Sequence, residues 1–163
     1  MLRLRTFFRN GSISTILFTA TSLVFSEDIT TCKDPSGMAY YHHANMVQKK
    51  DSGWSKDKIS DGRLTLKKIA DGEYDILIYD ATKTLFSLKQ DGGQIVLMRA
   101  GENDATFLHF YPDRVIELYT FWKDSLGQFK YDLIQSKGGD LTLVHKSSIL
   151  VGSCSAINFE IIK

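Results

Sequence analysis

Histidine is the side chain that most often binds metals or transfers protons near neutral pH. This chain has four of them: His42, His43, His109 and His145. The adjacent pair would point to opposite faces of a strand, so the two could not chelate one ion from there. The other two alternate with apolar residues, and an imidazole in such a stripe is more often a hydrogen-bonded structural group. No cysteine or carboxylate stands at a zinc-like spacing, so we predict no metal site.

The other reactive side chains form no recognisable catalytic or cofactor motif. Ser153 lies in Gly-Ser-Cys-Ser, which does not match the Gly-x-Ser-x-Gly of a nucleophile elbow. The glycine pairs at 92–93 and 138–139 lack the Lys-Ser/Thr that completes a phosphate-binding loop. Asp71 and Asp75 flank a hairpin signal, where acidic residues are common because aspartate favours the backbone conformations of turns. We therefore predict no catalytic residue and no cofactor.

The two cysteines are expected to form a disulfide. Cys32 and Cys154 lie near the two ends of the folded part of the chain, and cysteines of exported proteins usually pair because their compartment is oxidising. In the chain-entropy model, closing so long a loop contributes on the order of 5 kcal/mol. Two buried thiols, or an intermolecular bond, are the alternatives.

The N-terminal segment has the features of a secretory signal peptide. Residues 1–26 contain three arginines and no acidic residue, and an apolar run over 13–25 leads to Ser26. A charged start, a short apolar run and a small-residue cleavage site are typical of such signals. We predict cleavage after residue 26 and export to the periplasm or the cell exterior. An uncleaved anchor is the alternative, and we expect membrane contact only through this segment.

The charge balance argues against a nucleic-acid partner. Three of the 20 basic residues and none of the 19 acidic ones lie in the signal segment, which leaves 17 basic against 19 acidic residues. The remaining chain therefore has a net charge of −2, whereas electrostatic binding of nucleic acid needs a basic face.

The rest of the chain, residues 27–163, is predicted to form one all-β domain. Short runs of alternating apolar residues are separated by turn signals such as Asp71-Gly72 and Pro112-Asp113. Strands joined by such short turns must be antiparallel. The pattern predicts a small antiparallel β-sandwich or β-barrel of about 8–10 short strands. We expect strands over 141–146 and 157–162, and a short helix or a loop near 44–58.

Several aromatic residues are candidates for an interaction surface. Segments 106–111 and 115–122 carry apolar residues on both faces of the predicted strands, whereas a strand covered on one side should alternate more cleanly. Either the N-terminal segment packs over the second face, or that face is an interaction patch. The predicted surface residues are Tyr41, Trp54, Tyr119 and Phe121.

In its size, its export signal and the spacing of its predicted strands, the chain is similar to small exported β proteins such as the C-type lysozyme inhibitors and lipocalin-like barrels. We expect an exported, non-catalytic binding protein that recognises a protein or an envelope component. A lipocalin-like barrel for a small ligand is the first alternative, and predicts an apolar cavity lined by residues such as Phe107, Tyr119, Phe121 and Phe129. A small hydrolase without a recognisable motif is the second alternative, and requires titratable groups that converge in a cleft.

Overall fold

The computed structural model describes residues 26–79 and 82–162, and these residues form an almost entirely β structure. The predicted signal peptide, residues 1–26, lies outside the described residues except for its last position. The strands are β1 (Glu27–Tyr41), β2 (Gly53–Lys58), β3 (Arg63–Ala70), β4 (Glu73–Tyr79), β5 (Leu85–Ser87), β6 (Gln94–Ala100), β7 (Asp104–Tyr111), β8 (Val115–Lys123), β9 (Phe129–Lys137) and β10 (Lys146–Cys154). Lys49–Asp51 and Phe159–Ile162 form single 3-10 turns.

All ten strands of the described residues belong to one antiparallel sheet that curls into a half-barrel. Its order is β5-β4-β3-β1-β10-β9-β8-β7-β6, and β4 comes close to β6, so the two ends of the sheet approach each other. The first half of β1 pairs with β3 and its second half pairs with β2. The all-β prediction is therefore confirmed, and the architecture is a curled single sheet rather than two packed sheets.

Two predicted strands are absent, and one predicted helix is only a turn. Leu141 and Leu143 lie in an exposed loop, in which the Thr142 N–H bonds to the Gly139 carbonyl oxygen at 3.1 Å. The last apolar run forms a 3-10 turn because its backbone packs into the core, where Tyr74 Oη donates to the Ile162 carbonyl oxygen at 2.6 Å. Residues 44–58 contain one 3-10 turn followed by β2. Short apolar runs do not by themselves distinguish strands from helical turns.

The inward face of β7 to β10 consists of four cross-strand rows, because alternate residues of each strand point to the same face. The two aromatic rows are Ala105, Phe121, Tyr131 and Gly152, and then Phe107, Tyr119, Leu133 and Leu150. The polar row is His109, Glu117, Gln135 and Ser148. The mouth row, at the open end, is Tyr111, Val115, Lys137 and Lys146.

Candidate functional site

A cavity of about 230 Å³ lies on the concave side of the sheet. Its first wall comes from β3 to β5 and the turn that follows, and is apolar: Leu64, Ile78, Phe86 and Leu88 line it. Its second wall comes from β7 to β9 and includes three members of the polar row, His109, Glu117 and Gln135. A molecule in this cavity would meet an apolar wall on one side and hydrogen-bonding groups on the other.

Glu117 is the centre of the polar wall. Its Oε2 accepts hydrogen bonds from His109 Nδ1 and from Tyr119 Oη, each at 2.8 Å. Its Oε1 accepts a hydrogen bond from Gln135 Nε2. Burial by itself would raise the pKa of Glu117, but the hydrogen bonds from His109, Gln135 and Tyr119 outweigh that effect and hold the pKa below its ordinary value. Glu117 is therefore a buried carboxylate that stays ionised at neutral pH.

Tyr119 is a hydrogen-bond donor to that carboxylate and remains protonated. Burial raises the pKa of the Tyr119 phenol well above its ordinary value, and the negative charge of Glu117 raises the same pKa further. Both effects disfavour a phenolate beside a carboxylate. The phenol therefore donates to Glu117 over the whole physiological pH range.

His109 is buried with only one ring nitrogen paired. The side chain is 1% exposed, and its Nδ1 must carry the proton that is donated to the ionised Glu117. The other nitrogen, Nε2, is buried and has no hydrogen-bond partner among the described residues. Nε2 lies against Gly93, where an added Cβ would collide with it. The imidazole is thus fixed in orientation by Glu117, and its second nitrogen is covered by Gly93 without a hydrogen-bond partner among the described residues.

The open end of the cavity carries charges of both signs. Arg63 and Lys137 line it as cations, and Asp91 lines it as an anion. Tyr111 Oη donates to Asp91 Oδ2 at 2.7 Å, which ties the turn between β5 and β6 to the end of β7. Burial raises the pKa of Tyr111, and the hydrogen bond and charge of Asp91 raise it further. This hydrogen bond holds one edge of the cavity.

A larger groove lies outside the barrel interior, next to the disulfide. Its volume is about 820 Å³, and its lining includes the exposed residues Lys33, Asp34, Asp61 and Arg63. These side chains are solvated and lie at a surface. We favour the smaller cavity as the candidate site because its polar groups are buried and converge on one carboxylate.

The predicted disulfide is confirmed, since Cys32 and Cys154 are bonded to each other. The two cysteines are paired neighbours on β1 and β10. A disulfide of this kind indicates an oxidising environment. A reactive Cys154 thiol, the requirement for a cysteine nucleophile, is therefore absent.

The four residues of the predicted interaction surface do not lie on one surface of the protein. Trp54 is 67% exposed on the outer face of β2, and its ring meets that of Tyr40 edge-on at 5.5 Å. Tyr41 is half-buried, with the Lys146 ammonium 5.7 Å from its ring centre. The prediction is wrong for Tyr119 and Phe121, which are 3% and 0% exposed. Both point into the half-barrel, because the sheet curls around the face of β8 that carries them.

The aromatic lining expected for a ligand barrel is only partly present. Of the four predicted residues, Tyr119 lines the cavity, whereas Phe107 and Phe121 pack against each other in the core with ring centres 5.9 Å apart. Phe129 is half-buried, with the Lys123 ammonium 5.7 Å from its ring centre. The interior is therefore packed around Phe107 and Phe121, and the cavity extends from the polar row to Tyr119, Tyr131 and Leu133 of the aromatic rows.

Histidines other than His109 lie away from the cavity. His42 Nε2 lies 3.4 Å from Ser147 Oγ, and His145 Nε2 lies 3.1 Å from Asn45 Nδ2 in the loops. In the described part of the chain, no three His, Cys, Asp or Glu side chains are grouped so that they could hold a metal ion.

Sequence reasoning missed Glu117 and Gln135. A signal for Glu117 was present, because His109 and Glu117 are each four residues from Asp113 in the predicted turn. In the hairpin that forms, the loop is centred on Asp113, and the two residues lie opposite each other.

Comparisons of the whole chain with protein-family models, with curated proteins and with solved structures gave no match. Within residues 26–79 and 82–162 there is no apolar helix of a length that could span a membrane.

Proposed function

We propose that this protein is an exported binding protein that takes a small molecule into the concave cavity. The observation that carries the proposal is the arrangement of the cavity walls. An apolar wall faces a buried polar wall whose groups are fixed by hydrogen bonds to Glu117. Small-molecule sites are typically concave, mostly apolar, and oriented by a few fixed polar groups.

Binding is supported over catalysis by the state of the polar wall. Hydrolysis by a covalent route needs a nucleophile within hydrogen-bond reach of a base. His109 has Glu117 as its hydrogen-bonded partner, and Ser148 occupies the far end of the polar row, with Glu117 and Gln135 between it and His109. The cysteines are in a disulfide. The wall thus offers a rigid, pre-organised surface, which favours recognition.

The proposal is tested by ligand-observed NMR with a library of small, uncharged aromatic and aliphatic compounds. The protein is produced in an oxidising host so that the disulfide forms. Ile78→Trp should fill the cavity from its apolar wall, because Ile78 lines it. Ile134→Trp is the matched control, since Ile134 lies on the outer face and is 48% exposed.

We expect the wild-type protein and the Ile134→Trp variant to bind the same compounds, and the Ile78→Trp variant to lose them. Circular dichroism should show that both variants retain the β fold. Absence of binding to the wild-type protein, or equal binding to both variants, would show that the cavity is not a ligand site.

A further inference from the structure

The open end of the cavity carries two cations that have no acidic partner. Arg63 and Lys137 line the cavity, and neither belongs to an ion pair within the described part of the chain. Arg63 is exposed, with its guanidinium carbon 5.5 Å from the centre of the Tyr79 ring, whereas Lys137 is half-buried. Taking water away from an ammonium costs free energy unless an opposite charge or a polar group replaces it. An anion at this end would supply that replacement.

The acidic groups of the lining, in contrast, are held by the protein. Glu117 accepts hydrogen bonds from three side chains, and Asp91 accepts one from Tyr111 Oη at 2.7 Å. A cationic ligand would compete with those donors and would also meet Arg63 and Lys137 as like charges. The charges of the lining therefore favour an anionic ligand over a cationic one.

The neighbouring strand adds to the positive charge beside Lys137. Lys137 and Lys146 are cross-strand neighbours in the mouth row, and like charges placed opposite each other on a sheet repel. Asp57 pairs with Lys146 at 2.6 Å, so one of the two lysines has an acid beside it. A ligand anion beside Lys137 would provide the second.

The interior of the cavity does not suit a negative charge. Glu117 is ionised there, and two like charges repel strongly where little water separates them. The opposite wall, which includes Leu64, Ile78 and Phe86, offers apolar side chains that cannot replace the water around an anion. The volume of about 230 Å³ lies below the roughly 300–1,000 Å³ of sites for drug-sized molecules. The interior therefore fits a compact apolar group, and a charged group must stay at the open end.

We infer that the ligand is an amphiphilic anion, with a compact apolar body in the cavity and one carboxylate at the open end beside Arg63 and Lys137. This inference rests on the proposed function, because it names the class of molecule that the cavity takes. The carboxylate adds to the affinity of the apolar body, so an uncharged analogue still binds, but more weakly.

The test compares three probes that share one apolar body: 3-phenylpropanoate, 3-phenylpropanamide and 3-phenylpropylammonium. Titration calorimetry and ligand-observed NMR at pH 7 measure their affinities. We expect the wild-type protein to bind the carboxylate about three- to tenfold more tightly than the amide, the range of one or two solvent-accessible ion pairs. The ammonium should bind most weakly. Added NaCl should weaken binding of the carboxylate and leave that of the amide unchanged, because salt screens charges.

Charge-removing variants separate the role of the two cations from that of the fold. Arg63→Gln and Lys137→Gln should each lower the preference for the carboxylate, and the double variant should reduce it to about onefold while the amide still binds. Arg63→Lys keeps the charge and should keep most of the preference. Lys56→Gln is the matched control, because this exposed lysine of β2 lies outside the cavity lining, and it should behave as the wild type.

Equal binding of the carboxylate and the amide to the wild-type protein would overturn the inferred ligand class and leave the cavity as a binding site. The same conclusion follows if the ammonium binds best, or if the double variant keeps the full preference. Failure of every probe to bind, or binding that Ile78→Trp does not reduce, would overturn both the ligand class and the proposed function.

Discussion

The aromatic rows and the polar row lie side by side on the same strands, yet they stabilise the interior in different ways. Phe107, Phe121 and Tyr131 fill space, with ring centres about 6 Å apart in each neighbouring pair (5.9 and 6.1 Å). One strand position further along the same face, Glu117 collects three hydrogen bonds. The disulfide closes the aromatic end, and the cavity opens at the polar end.

This difference shows how one inward face can carry both a core and a site. Packed aromatic groups gain stability by removing apolar surface from water, and Phe107 and Phe121 leave no room for a ligand between them. The polar row is buried too, but its stability depends on the hydrogen bonds that His109 and Gln135 donate to the Glu117 carboxylate. Such a row is rigid, and its members His109, Glu117 and Gln135 line the cavity in fixed positions.

The largest expected effect is at the disulfide that closes the aromatic end. A Cys32→Ser/Cys154→Ser variant should lose about 5 kcal/mol of unfolding free energy, because the bond spans 122 residues and limits the unfolded chain. Urea denaturation of the oxidised wild type and the variant measures this loss. A loss below about 1 kcal/mol would mean that packing alone holds this end.

Removing one aromatic side chain should lower the free energy of unfolding slightly less than removing the disulfide does. Phe121→Ala deletes a ring that is 0% exposed, and a cavity of that size typically costs about 3–5 kcal/mol. Ile134→Ala on the outer face of the neighbouring strand is the control, and should cost about 1 kcal/mol or less. Similar losses from the two variants would contradict the solid packing of the aromatic rows.

Replacing the central carboxylate of the polar row should cause a smaller loss of unfolding free energy, and this loss should depend on pH. Glu117→Gln leaves one acceptor oxygen for three donors, so we expect a cost of about 1–3 kcal/mol at pH 7. In the wild type the pKa of Glu117 is lower in the folded state than in the unfolded state. Its stabilisation is therefore present above the ordinary glutamate pKa of about 4.3, and is lost as pH falls through the folded value.

Urea denaturation between pH 7 and pH 3 measures this dependence. The wild type should lose stability at the acid end more steeply than the Glu117→Gln variant, which has no carboxyl to protonate at this position. Parallel pH profiles would show that Glu117 is not held ionised by its three donors.

The smallest loss of unfolding free energy is expected for a substitution on the outer face of the sheet. Trp54→Ala removes a 67% exposed side chain whose ring meets Tyr40 edge-on, and such a ring pair is worth about 0.5–1.5 kcal/mol. We expect a loss of about 1 kcal/mol in thermal or urea unfolding and no change in binding of small ligands. A larger loss would place Trp54 in the stabilising framework rather than on a free surface.

Much of the local structure was predictable, because it depends on near neighbours. The turns at Asp71-Gly72 and Pro112-Asp113 join strands as expected, since glycine and aspartate suit their backbone angles, with φ values of 71° at Gly72 and 60° at Asp113. The disulfide partners were predictable because only two cysteines exist. The loop at 141–145 and the final 3-10 turn were not, because their conformation depends on distant contacts.

The sequence by itself was sufficient to predict that residues 27–163 are all-β and antiparallel, and it favoured a Cys32–Cys154 bond over two buried thiols or an intermolecular bond. Only the tertiary structure decided which face of each strand became the interior, and so it moved Tyr119 and Phe121 from an expected surface into the core. The reason is that a period-2 pattern defines two faces without saying which one the sheet will curl around. The meeting of His109, Glu117 and Gln135 required the register of three strands, and that register is a property of the folded sheet.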